Sequence, residues 1–295
     1  MTNEEQSKRS DLTVTEKATV LMEALPYLRK FRGSTFVVKY GGSCLEHPDA
    51  EVRSRVAGDV TFLNSVGIRV VIVHGGGKAI SRELDQRGVE PVFVDGLRVT
   101  DAETLVVARE TLDGEVNRGI CERIQSKQGQ AEGISGADAL KCIPMPDRED
   151  LGFVGEIVSV ETDLINLGLD AGRVPVISCL ASTEDGQVYN TNADTAAAKV
   201  AVALEARRLV YLSDVPGLLS NPEDSNTLIS TLPVGEVESL KVSGVISQGM
   251  RPKVDSAVEA LAAGVKRVHF VDGRLPHSLL LEIFTDEGIG TEIVH

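Results

Sequence analysis

Basic residues are scarce: 30 Lys and Arg stand against 44 Asp and Glu in 295 residues, a formal net charge of -14. That balance argues against the broad basic face with which a protein neutralises nucleic-acid phosphates or an anionic membrane. An anionic substrate must therefore meet a few locally placed cations. Cysteine is sparse too: Cys44, Cys121, Cys142 and Cys179 are scattered without C-x-x-C spacing, so neither a zinc site nor a redox pair is signalled, and a reducing, cytoplasmic setting fits. No stretch reaches the roughly 18 uninterrupted apolar residues of a membrane span. The N-terminus has no apolar signal-peptide run. Neither G-x-x-x-x-G-K-[ST] nor G-x-G-x-x-G occurs, which removes the Walker-type and dinucleotide fingerprints.

What is present centres on Thr35-Phe-Val-Val-Lys-Tyr-Gly-Gly-Ser43. A β-branched, apolar run reads as a buried strand and breaks at Gly41-Gly42, where backbone amides can approach a ligand with no Cβ in the way. Lys39 sits at the break, so one cation and several N–H donors face a place where phosphate could bind. A second strand, Ile68–Val73, ends at His74-Gly75-Gly76-Gly77. Strand, glycine turn and helix thus occur twice, which predicts parallel strands whose carboxyl ends share one crevice. His74 reads as a structural histidine closing a strand rather than a catalyst.

The rest of the chain supports an α/β fold: an open, mostly parallel central sheet sandwiched by helices, in two lobes. Residues 1–14 form a polar tail. Residues 15–30 form an amphipathic helix capped by Thr15, either packed on its own domain or docked on another subunit. Residues 31–180 and 181–295 make the two lobes. A helix is expected from about Ala102 to Leu112, and short strands and loops from Gly114 to Arg173. Arg98 lies among apolar neighbours and needs either a carboxylate or phosphate ligand or an internal ion pair with Asp95 or Asp101. Asn190, Asn192 and Asp194 crowd the start of an Ala-rich helix, more than capping alone requires. The turn Ser213-Asp-Val-Pro-Gly217 follows a buried strand and could hold a nucleotide base or ribose. Lys253 follows Pro252 near a helix N-terminus, where the macrodipole disfavours a cation unless it shares the site with an anion or reaches water.

Taken in order, Val38-Lys-Tyr-Gly-Gly42, Val73-His-Gly-Gly-Gly77, Gly96-Leu-Arg-Val-Thr100, Asn190-x-Asn-x-Asp194, Leu212–Gly217, Gly249-Met-x-Pro-Lys253 and Phe284–Thr291 resemble the N-acetylglutamate kinases of the amino acid kinase superfamily, over roughly residues 15 to 291. The resemblance implies ATP-dependent phosphorylation of the N-acetyl-L-glutamate side-chain carboxylate in arginine biosynthesis. It implies Lys39 and Lys253 on the transferred phosphoryl group, with Asp194 holding both. Gly41, Gly42 and Gly76 would lie at the phosphates, and Gly75, Arg98 and Asn190 on the acceptor. Ser213, Asp214, Val215, Gly217 and Met250 would surround the nucleotide, and Mg2+ would travel with ATP, bound by no dedicated protein ligands. The family's usual Ser-Gly-Lys-Asp is Ser135-Gly-Ala-Asp138 here, and no role is assigned to that loop. The first helix is similar to the extension of arginine-inhibited members that form hexamers as trimers of dimers, some with a signalling-protein partner. His269, Glu282, Gly288 and Gly290 match their arginine positions. A related kinase with another carboxylate acceptor, or a non-catalytic arginine-sensing paralogue, are the alternatives.

Overall fold

Buried β-branched runs become neighbouring strands of one sheet. The computed structural model describes residues 13–295 except 222, 247, 248 and 287, so the expected tail up to residue 12 lies outside the described residues. Six parallel strands carry the fold: β1 (Thr35–Tyr40), β2 (Arg69–His74), β5 (Ala131–Ile134), β8 (Val174–Ser178), β11 (Arg208–Ser213) and β13 (Arg267–Asp272). With β12 (Thr231–Pro233) and β14 (Thr291–Val294) they form an eight-stranded sheet in the order β12-β14-β13-β11-β1-β2-β8-β5. Only the β13–β14 pairing is antiparallel. From β1 the chain runs one way to β2, β8 and β5, and later the other way to β11 and β13. The crevice at this reversal, outside the strand carboxyl ends, is where open α/β sheets bind ligands.

Alternate residues of β1 enter different cores. Phe36, Val38 and Tyr40 pack on one face with Val70, Ile72 and Leu212. Val37 packs on the other with Val71, Leu209 and Tyr211. Burial on both faces explains why these strands read as continuous apolar runs. On the second face lies the helix Ala193–Ala203, whose Ala196, Ala197 and Ala201 let its backbone approach the sheet closely. The helix Arg251–Ala262 packs beside it.

A smaller sheet, in the order β10-β9-β6-β7, contains β6 (Leu140–Pro144), β7 (Gly155–Val160), β9 (Leu180–Ser182) and β10 (Val188–Asn190). The lobe division expected at 180/181 falls inside β9. A hairpin of β3 (Phe93–Val94) and β4 (Leu97–Arg98) turns through Asp95 (φ 50) and Gly96 (φ 79), the left-handed pair of a tight two-residue hairpin.

Two local expectations change. The first helix is Val14–Phe31 and starts earlier than Thr15: Thr13 caps it in a reciprocal box with Glu16. Residues expected to be irregular after Gly114 are helical instead, with Ala102–Arg109 continuing as a π-helical segment, Glu110–Asn117, and then as Arg118–Ser126. The buried stripe Ala108, Leu112, Val116, Ile120 and Ile124 advances in steps of four. In a pure α-helix each such step overshoots a full turn by about 40°. The wider π turns offset that drift and keep the stripe against the sheet. Among the described residues no helix is long and apolar enough to cross a membrane.

Candidate active site

Register brings both glycine turns to one edge. Lys39 lies opposite Val73 on β2 and Tyr211 on β11, and Tyr40 lies opposite His74. Gly41 N–H donates to the Leu212 carbonyl (3.3 Å), and Gly75 N–H to the Tyr40 carbonyl (3.3 Å), fastening the turns to the strand ends. A Cβ on Gly41 would come within 2.9 Å of the Leu212 carbonyl oxygen, and one on Gly76 within 2.8 Å of Leu112 Cδ2. Gly76 also precedes the helix Gly77–Gln86 without capping it by a side chain; in its first turn the Ala79 N–H is taken by Glu46 Oε1 (2.9 Å).

At this edge the Lys39 Nζ lies 2.8 Å from Asp194 Oδ1, and the Lys253 Nζ lies 3.2 Å from Asp194 Oδ2. Two ammonium groups from distant parts of the chain thus grip the two oxygens of one carboxylate. Asn192 sets that carboxylate in place: its Oδ1 accepts from Asp194 N–H (2.8 Å) and Thr195 N–H (3.0 Å), capping the helix. Burial raises the Asp194 carboxyl, but the Lys39 and Lys253 charges outweigh it and hold its pKa below the usual value. The triad keeps one uncompensated positive charge. Lys253 is the more open lysine, its side chain 25% exposed against 10% for Lys39.

Both lysines line two adjoining cavities. One, of about 860 Å³, is bounded by Gly41, Gly42, Ser43, Ser213 and Asp214. The other, of about 380 Å³, is bounded by Gly75, Gly76, Arg98, Asn190 and Cys179. The expected nucleotide and acceptor residues therefore separate into two chambers that meet at Lys39, Gly42, Arg98 and Lys253. Val215, Gly217 and Met250 do not border either chamber. Gly217 (φ 143) is instead packed so tightly that a Cβ would lie 2.5 Å from Thr291 Oγ1, and Met250 packs on the core.

Arg98 makes neither ion pair considered for it, because Asp95 pairs with Arg148 and Asp101 caps the next helix. Its Nη2 donates to the Gly77 carbonyl (2.7 Å) and Ser81 Oγ (2.8 Å), and its guanidinium lies 4.7 Å from the Phe93 ring centroid. Nη1 is buried without a hydrogen-bond partner among the described residues, a donor suited to an incoming carboxylate. Asn190 Nδ2 donates to Thr100 Oγ1 (3.2 Å). Sequence reasoning missed Phe93 and Ser81 as supports for Arg98; the Asp95-Gly96 turn was the signal for the hairpin that carries Phe93. His74 is fully buried between the Gly75 carbonyl and Asn117, away from the chambers, as a structural histidine should be. Among the described residues no group of three or more His, Cys, Asp or Glu side chains is placed to hold a metal ion.

The four remaining residues gather elsewhere. His269, Glu282, Gly288 and Gly290 line a cavity of about 220 Å³ with Tyr27 and Lys30 of the first helix. Glu282 is buried rather than an exposed helix residue. Its Oε1 lies 2.6 Å from His269 Nδ1, and its Oε2 accepts from Ile289 N–H (2.8 Å) and Gly290 N–H (2.9 Å). Burial alone would raise its pKa, but these bonds hold it below the usual value.

The sequence profile of the amino acid kinase family matches residues 34–272. The chain belongs to the amino acid kinase family. An acetylglutamate kinase from Syntrophomonas wolfei is 47% identical over 282 residues, covering 95% of this chain and 98% of that protein. Among solved structures, an N-acetylglutamate synthase from Neisseria gonorrhoeae complexed with coenzyme A and N-acetylglutamate has a TM-score of 0.83 at 33% identity, covering 94% of this chain and 63% of the synthase. The same synthase complexed with coenzyme A and L-arginine gives 0.79 at 31% identity, over 94% and 65%. The chain thus spans just under two thirds of that synthase. In this amino acid kinase the profile covers all three members of the ion triad.

Proposed function

We propose that the chain transfers the γ-phosphoryl group of ATP to the side-chain carboxylate of N-acetyl-L-glutamate, giving N-acetylglutamyl 5-phosphate and ADP for arginine biosynthesis. The observation that carries this is the pair of ammonium groups held on opposite oxygens of Asp194 between two chambers. A carboxylate is already ionised at neutral pH, so its oxygen attacks the γ-phosphorus without a general base. The bond to the bridging oxygen of ADP breaks as the new one forms. Catalysis then rests on alignment and charge neutralisation. Lys39 and Lys253 stabilise the charge on the phosphoryl group in flight, and Asp194 aims both. Gly42 and Gly76 offer amides to phosphate oxygens, while Gly41, its own amide bonded to the Leu212 carbonyl, borders the nucleotide chamber. Arg98, with its spare Nη1, and Asn190 hold the acceptor beside Gly75. Ser213 and Asp214 border the nucleotide, whereas Val215, Gly217 and Met250 line neither chamber and take no direct part in this reading. Mg2+ accompanies ATP, its ligands phosphate oxygens and water.

L-Arginine is the proposed effector, in the cavity shared by the first helix and the His269–Glu282 pair. The buried carboxylate there suits a guanidinium, and the arginine-complexed synthase supports that choice. Val14, Val20, Leu21 and Met22 leave exposed apolar side chains on the same helix, the proposed arm of a hexamer and the proposed seat for a signalling protein. Purified protein with ATP and N-acetylglutamate should form a hydroxylamine-trappable acyl phosphate, and less of it with arginine. Inactivity with that acceptor refutes the kinase reading, and indifference to arginine refutes the effector. Removing residues 1–30 should reduce the mass in light scattering from hexamer to dimer; an unchanged mass refutes the arm.

A further inference from the structure

Below the ion triad, in an otherwise apolar core of Val37, Ala197, Val254 and Phe270, two hydroxyls are buried. Tyr211 is 0% exposed and Ser256 is 4% exposed. The Tyr211 hydroxyl lies 3.3 Å from the Asp194 carbonyl oxygen and 2.9 Å from Ser256 Oγ, and Ser256 Oγ lies 2.9 Å from the Lys253 carbonyl oxygen. Two hydroxyl protons serve three contacts, so the chain conducts in either direction: tyrosine to serine to Lys253, or serine to tyrosine to Asp194. Tyr211 also pairs along the sheet with Lys39. Tyr211 therefore touches all three elements that carry the triad, the two helices through its hydroxyl and strand β1 through its backbone.

Phenylalanine would fill the same space and keep the stacking on Phe270, whose ring centroid is 5.2 Å away. A phenol is costly in such a core unless its hydroxyl is bonded. Burial pushes the Tyr211 pKa well above its ordinary value, so the hydroxyl keeps its proton. Both carbonyls belong to first helical turns and have intrahelical partners four residues on, so the hydroxyls are not needed to satisfy the helices. They fix where one helix start stands against the other. Lys253 has a long, flexible stem, and its distance from Asp194 depends on that placement.

We propose that Tyr211 and Ser256 are positioning residues that hold the Lys253 helix against the Asp194 helix and so set the approach of the two ammonium groups to the transferred phosphoryl group. This rests on the kinase reading. Tyr211→Phe and Ser256→Ala should each lower kcat about fivefold to tenfold, the effect of losing one buried hydrogen bond at the transition state. KM for ATP and for acceptor should stay within twofold. The double variant should be no slower than the slower single variant, because the hydroxyls act as one chain. Ser256→Thr, which keeps the hydroxyl, should recover most of the rate. In parallel, reductive methylation read by mass spectrometry should label Lys253 faster in both variants, with exposed Lys127, which lines neither chamber, as the internal control. A kcat within twofold of the parent, or unchanged Lys253 labelling, overturns the proposal even if the melting temperature falls. If Tyr211→Phe does not fold, Ser256→Ala decides alone. Inactivity of the parent with N-acetylglutamate would sink the kinase reading, while the labelling experiment would still decide this one.

Discussion

The two ends of β11 hold two kinds of charge cluster. Ser213, at the carboxyl end, borders the cleft where Lys39 and Lys253 share Asp194. Arg208, at the amino end about 16 Å away along the strand, meets His269 Nε2 at 2.7 Å, and His269 in turn meets Glu282. The first cluster has two cations for one anion and opens on a cleft. In the second, burial and the neighbouring Arg208 lower the His269 pKa, so the imidazole is neutral and Arg208 is set against Glu292 and Glu282, its Nε buried without a hydrogen-bond partner among the described residues. Burial likewise brings the Arg208 pKa down, to about 10. One cluster is electrostatically unfinished until an anion arrives, and in the other both oxygens of Glu282 are already bonded without a ligand. The difference separates a site for chemistry from a site for holding shape, which a ligand can enter only by competing with existing bonds.

The largest break in that comparison should come from paired substitutions. Asp194→Asn removes the shared carboxylate and leaves two ammonium groups repelling across the cleft, so kcat should fall about 10²-fold. Glu282→Gln should act mainly on folding. It strips the charge from an acceptor of three donors, two of them buried, and should cost about 3 kcal/mol in denaturant unfolding, with kcat changed less than tenfold. Equal losses of kcat in the two variants would erase the proposed division.

A comparable effect on stability should follow pH. The unfolded chain protonates His74 near 6.5, whereas burial in the folded chain holds its pKa down to about 4. Between these values the unfolded state binds the extra proton. Stability present above pH 6.5 is therefore lost as pH falls towards 4, by about 3 kcal/mol in all. His74→Gln should flatten that slope in unfolding free energies measured from pH 7 to 4.5. An unaltered slope would place the acid sensitivity elsewhere.

Much of the cleft was legible in the sequence because its strands announce themselves locally: β1, β2 and β11 are unbroken apolar runs ending in glycine, serine or aspartate. The meeting of Lys39 with Lys253 was legible only through the order of motifs, since no local pattern links residues so far apart. Other features were set by tertiary packing. The helical path through Gly114 follows from a stripe buried against the sheet, although glycine there suggested a break. The short strand β14 exists because the edge of β13 offers a partner, and β14 in turn offers one to β12. Arg98 found a carbonyl, a serine hydroxyl and an aromatic ring instead of the nearby aspartates, whose own roles in capping and pairing were fixed by the fold. Tyr211 and Ser256 looked like ordinary strand and helix residues until the two helix starts were seen side by side.

The central claim is that the ammonium group of Lys253, shared with Asp194 and Lys39, stabilises the phosphoryl group during transfer. The direct measurement is kcat of Lys253→Ala at saturating ATP and N-acetylglutamate, with folding checked by circular dichroism. The account predicts a folded protein slower by ~10²–10³-fold, the effect of losing one preorganised transition-state donor. A folded variant turning over within threefold of the parent would contradict it.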